Sequence, residues 1–196
     1  MSTTAALAPG RARILDAALD LLIQRGGAAV SIAEIARAAR LSRQAVYLHF
    51  ADRADLLAAV ARHVDERSGF ADDFRRVVEA PSGVAALREW VALNARTNPE
   101  IWPVARVLDA LRRADPAATR SWQERLERRL DAVRQVVTRL REEGALRAGL
   151  EPGAAADLVW TLTSLHVWED LVVGRGWSED RYRRYITTLV VGTLTN

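Results

Sequence analysis

Arg43, Gln44 and Tyr47 lie close together in the segment SRQAVYLHF, residues 42–50. An arginine fork matches the O6 and N7 acceptors of guanine, and a glutamine amide matches N6 and N7 of adenine. A helix that reads the major groove keeps a polar outer face while its inner face locks onto supporting helices. With Val46 and Phe50 turned inward, Arg43, Gln44 and Tyr47 fall on the opposite side near the helix start, where Arg43 and Gln44 form a candidate base-reading pair.

Little else in the chain suits chemistry. HExxH, a GxSxG elbow, a P-loop and a Rossmann glycine pattern are all missing. His49, His63 and His166 fall in separate segments without ligand-like spacing. Asp72 and Asp73 are adjacent, so on a helix they point apart, and they read as a solvated linker. Cysteine is absent, which removes disulfides, thiolate zinc ligation and a cysteine nucleophile together. The expectation is a protein that is not an enzyme and uses no metal or cofactor.

All 28 basic residues are arginine, and the formal net charge is only +3, so the positions of the arginines carry more information than their number. Residues 1–10 lack both a basic n-region and an apolar h-region, and read as a loose N-terminal arm. No apolar run approaches the roughly 18 residues of a membrane span. A soluble, cytoplasmic chain without a membrane partner is expected.

The elements that must hold the reading set follow from apolar spacings of three and four, which run almost throughout and predict an all-α fold of about nine helices. The first is expected from Arg11 to Arg25, with Ile14, Leu15, Ala18, Leu19 and Leu22 inward, ending at Gly26–Gly27. Ser31 and Glu34 form a capping-box signature for a short helix carrying Ile32, Ile35, Ala36 and Ala39. Ser42 caps the next, Arg43 to His49, and Asp52 with Asp55 caps a fourth that buries Leu56, Leu57, Val60 and Val64. Short helices joined by a tight turn and backed by a longer one make a helix-turn-helix pattern. Beyond Pro81, helices are expected at 83–97, 100–114, 117–143, 154–173 and 179–194, with breaks at Asn98–Pro99 and Asp115–Pro116.

Residues 31–57, SIAEIARAARLSRQAVYLHFADRADLL, resemble the tetracycline-repressor (TetR) family of bacterial repressors. The likeness is carried by the capped helix from Ser31, by Ser42, by Val46-Tyr47-Leu48-His49-Phe50, and by Asp52-Arg53 with Asp55-Leu56-Leu57, and it extends over about residues 11–60. It implies a DNA-binding domain at 11–52 and a helical ligand-binding and dimerisation domain at 53–196. It also implies that Tyr47, His49 and Arg53 contact phosphate, with Ser31 and Arg11 as additions. Arg40 departs from the family, which commonly has glycine in that turn, and Arg53 stands where lysine is frequent.

The resemblance further implies a small-molecule effector and a homodimer on a palindromic DNA operator. Trp90, Trp102, Trp122 and Trp160, with Asn94, Arg106 and His166 as polar anchors, are the candidate lining of an effector site. Two apolar sides on each of the last two helices suggest an interface through Trp160, Val167, Leu171, Tyr182, Ile186, Leu189 and Val190. Two further readings keep the same fold: a helical ligand-binding or interaction protein whose helix-turn-helix no longer reads DNA, and an activator in place of a repressor.

Overall fold

The computed structural model describes residues 9–25, 30–67, 70–111 and 116–196. Among them lie ten α-helices: α1 Pro9–Gln24, α2 Ile32–Ala38, α3 Arg43–His49, α4 Arg53–Arg67, α5 Phe70–Glu79, α6 Gly83–Leu111, α7 Pro116–Glu142, α8 Pro152–Leu162, α9 Leu165–Trp168 and α10 Glu179–Leu194. A π-helical turn, Glu169–Gly174, continues α9. The chain divides into two compact units, one of Met1–Arg67 with Glu100–Trp122, the other of Ser68–Pro99 with Gln123–Asn196.

In the first unit, α1 buries Ile14, Leu15, Ala18, Leu19 and Leu22 and packs against α2, α3 and α4. Ile35, Val46, Phe50, Leu56, Leu57 and Val60 are buried as well. The short helices are held by their caps, since seven residues are too few for propensity alone. Ser31 Oγ accepts from Glu34 N at 3.3 Å while the Glu34 carboxylate accepts from Ser31 N at 2.8 Å. Ser42 Oγ accepts from Ala45 N at 3.1 Å. At the start of α4 the exchange is again reciprocal, Asp55 N donating to Asp52 at 2.8 Å and Ala51 N to Asp55 at 3.1 Å.

The turn after α2 is a Schellman motif. Leu41 N donates to Ala36 O at 2.9 Å and Arg40 N to Arg37 O at 3.1 Å. The motif requires a left-handed residue, and Arg40 supplies it with φ of 57°.

In the second unit, Gly83 starts α6 so close to α7 that a Cβ there would stand 2.9 Å from Leu140 N. Its N–H donates to the Glu143 carboxylate at 2.6 Å. That bond and the Arg139 guanidinium hold the Glu143 pKa below the usual carboxylate range. Val133, Val137 and Leu140 of α7, Val159 of α8, and Tyr182, Ile186, Val190 and Leu194 of α10 are core residues. The chain end is tied back by Arg147 N donating to Leu194 O at 2.7 Å.

Four expectations are corrected. The break at Asn98–Pro99 is absent, because α6 runs through both Pro99 and Pro103. A mid-helix proline costs about 3 kcal/mol, and here Val91 and Ala95 before it, and Val104 and Ala105 after it, are all buried. The helix expected at 154–173 is interrupted at Thr163, and Ser164 caps a new start by accepting from Val167 N at 3.3 Å. Asp72 and Asp73 lie on α5 and not in a linker, with Asp73 accepting from Arg96 Nε at 3.0 Å. Pro9 and Gly10 belong to α1 and not to an arm. Residues 1–8, the glycine pair Gly26–Gly27, and Asp115 of the Asp115–Pro116 break fall outside the described residues.

Candidate nucleic-acid interface

The caps decide which face of α3 is free. Ser42 fixes its start, and Val46 and Phe50, 0% and 2% exposed, fix its rotation against the supporting helices. Arg43, Gln44, Tyr47 and Leu48 are then left outside, with Tyr47 at 55% and Leu48 at 81%. This polar face with one large apolar member matches what major-groove edges offer, donors and acceptors plus the thymine methyl. Leu48 was not among the sequence candidates. Its signal was present, since it lies between the two inward positions Val46 and Phe50 and so cannot share their side.

Ser31, Arg43, Tyr47 and Arg53 meet along one groove of about 570 Å³, which Glu34 also lines. Glu34 is held ionised, its pKa lowered to about 2 by the Ser31 hydroxyl and amide and then by Arg25, whose guanidinium is 2.6 Å away. Arg53 is half-buried and donates from Nε to Val30 O at 3.1 Å, so part of its fork is committed to tying α4 to the chain before α2. His49 is half-buried, and a Cβ on Gly10 would meet its Nε2 at 3.2 Å, so it packs beside the start of α1. The Arg11 guanidinium stacks on the Phe50 ring at 4.8 Å.

The residues expected around an effector fall in both units. Trp102, Arg106 and Trp122 belong to the first unit, where Arg106 stacks on Trp102 at 5.0 Å. In the second unit, Trp90 is buried and donates from Nε1 to Thr163 Oγ1 at 3.1 Å. Asn94 is buried too, and its Nδ2 bonds back to Trp90 O at 2.7 Å. His166 is exposed on α9. Trp160 stands beside a residue that sequence reasoning missed, Arg129, which donates to Trp160 O at 2.8 Å and to Thr163 Oγ1 at 2.5 Å.

The expected interface residues of α10 are redistributed by its rotation. Tyr182, Ile186 and Val190, at four-residue intervals, are buried in the chain's own core. Trp160, Val167 and Leu171 are half-buried. Leu189 stays outside at 48%, with Tyr185 on the same exposed face and Leu158 of α8 exposed as well.

Residues 14–60 match the family described as bacterial regulatory proteins, tetR family. Over 50 residues the chain is 46% identical to the HTH-type transcriptional regulator AcrR of Shigella flexneri, a match spanning 26% of this chain and 23% of that protein. Across nearly the whole length it superposes on a transcriptional regulator from Saccharomonospora viridis solved in complex with choline, with a TM-score of 0.80, 19% identity, and 95% and 97% of the two chains covered. FadR from Bacillus subtilis in complex with stearoyl-CoA superposes with a TM-score of 0.75 at 18% identity, covering 93% of this chain and 98% of that one. At these identities the structural likeness is one of fold.

Proposed function

We propose that the chain, whose residues 14–60 match the tetR family of bacterial regulatory proteins, is a sequence-specific DNA-binding regulator, a dimeric repressor released from a palindromic operator by a small molecule. The observation that carries the reading is the exposed face of α3: Arg43, Gln44, Tyr47 and Leu48 stand outside while Val46 and Phe50 anchor the helix. Arg43 and Gln44 read guanine and adenine edges, and Leu48 contacts a thymine methyl. Tyr47, His49, Ser31 and the uncommitted part of Arg53 bond phosphates and fix register.

Dimerisation is supported by the apolar side chains left uncovered on α8 and α10, Leu158, Tyr185 and Leu189. A twofold pair presents two reading helices to successive major grooves, about 34–36 Å apart. A ligand that favours a conformer with a different separation lowers DNA affinity, and allosteric couplings of about 1–3 kcal/mol are typical. The protein works in the cytoplasm on double-stranded DNA, and it is not an enzyme.

Selecting bound duplexes from a random pool tests this reading, followed by a screen for compounds that release the winning site. A palindrome bound by two chains and released by a compound is the expected result. A ligand-binding chain without DNA preference, or a palindrome whose transcription rises on binding, would favour the carrier or the activator instead.

A further inference from the structure

Arg129 sits on the buried stripe of α7, seven residues after Trp122 and seven before Val136, both of which are buried. An arginine in an interior is ordinarily met by a carboxylate, because stripping water from a guanidinium costs several kcal/mol. Here its partners are neutral. It donates to Trp160 O and Thr163 Oγ1, and its guanidinium carbon lies 5.7 Å from the ring centres of both Trp90 and Trp160. The charged side chain acting on it is Arg125, of like sign, and burial with that repulsion brings its pKa down to about 10. The negative end of the α8 dipole, at Trp160 and Thr163, amounts to about half a charge and offsets only part of the cation.

The groups around it are short of acceptors. Thr163 Oγ1 is saturated: it accepts from Trp90 and Arg129 and donates to Val159 O at 2.7 Å. Trp160 Nε1 and Tyr182 Oη are buried with no hydrogen-bond partner. The Tyr182 hydroxyl is near enough to Arg129 for each to act on the other's ionisation. Both orphans are donors, and the Arg129 fork has N–H groups beyond the two it spends. The Arg129 side chain keeps partial exposure, so the cluster is reachable. It also borders irregular backbone, the break in the helix at Thr163.

We infer that Arg129, with Trp160 Nε1 and Tyr182 Oη, binds the carboxylate of a small organic acid. A carboxylate is acceptor-only and supplies what the cluster lacks, a negative charge and lone pairs for unmatched donors. A cationic ligand is disfavoured although indole faces suit cations, because Arg129 already occupies both rings. The inference rests on the reading of the second unit as the sensor only in calling this acid the effector.

The test uses the full chain and three probe pairs, 4-phenylbutyrate, octanoate and indole-3-acetate, each against its primary amide, with binding followed by tryptophan fluorescence and calorimetry. At least one acid binds tenfold or more tighter than its amide, as charge-assisted hydrogen bonds require. Arg129→Gln abolishes that preference and Arg129→Lys retains part of it, both with wild-type helicity by circular dichroism. Should Arg129→Gln fail to fold, Tyr182→Phe decides, because it removes only an unpartnered hydroxyl: several-fold weaker binding of the acid with unchanged amide binding is expected. Acids no tighter than amides in wild type, a preference that survives Arg129→Gln, or equal acid binding by Tyr182→Phe overturns the inference. DNA binding is measured separately, so acid binding without any operator sinks the regulatory reading alone, and operator binding without charge preference sinks this one alone.

Discussion

Arg40 closes α2 with the backbone motif by which Gly144 closes α7. Their φ angles are 57° and 66°, and in each case the following N–H reaches the carbonyl five residues back, Leu41 to Ala36 and Ala145 to Leu140, both at 2.9 Å. The left-handed conformation costs a side-chain-bearing residue about 1–2 kcal/mol, and glycine's extra unfolded freedom returns roughly 0.5–1 kcal/mol of that. Arg40→Gly therefore stabilises the chain by about 0.5–1 kcal/mol, to be read as a higher urea midpoint with unchanged slope. If Arg40 also meets a phosphate, the same variant lowers the salt slope of DNA binding by about one.

Glu34 makes the first unit acid-sensitive within a defined window. Its pKa is lowered from 4.5 to about 2 in the fold, so its contribution is complete above 4.5 and disappears as pH falls through about 2. Urea melts of wild type and Glu34→Gln should differ by a constant amount above pH 5 and converge between pH 4.5 and 2. A gap that stays constant down to pH 2 contradicts the assignment.

Gly83 is required by contact and not by backbone angle. A methyl there meets Leu140 N at 2.9 Å and Leu140 Cα at 3.0 Å, and backbone atoms do not swing away. Gly83→Ala destabilises by about 1–3 kcal/mol through overpacking. Gly153, with nothing within 4 Å of its added Cβ, is the control, and Gly153→Ala is neutral or slightly stabilising in the same thermal melts.

The α10 rotation separates folding from association. Leu189→Glu places a charge on the exposed face, so it should yield a folded monomer in analytical ultracentrifugation. Ile186→Glu puts the charge into the core at a site 4% exposed and should lose the fold itself. A Leu189→Glu chain that remains dimeric would move the interface elsewhere.

Much of the reader was legible because short helices depend on caps, and caps are written in single residues: Ser31 with Glu34, Ser42, and Asp52 with Asp55 all bond as their spacing requires. The sensor half was less so. On α10 the apolar residues at 182, 186, 189, 190 and 194 fit two overlapping faces, and only packing showed that the stripe through Tyr182, Ile186 and Val190 is inward. Arg129 was not singled out among the arginines of α7, although its register with Trp122 and Val133 marks it as a core position. Proline punctuation misled at Pro99, where burial on either side outweighs the lost N–H.

The central claim, that α3 reads bases, is tested most directly by titrating the selected palindrome with wild type, Arg43→Ala and Gln44→Ala at several salt concentrations. Each substitution should cost about 1–3 kcal/mol and relax preference at one base pair per half-site, with thermal stability unchanged because both side chains are exposed. Wild-type affinity and unchanged base preference in both variants would contradict it.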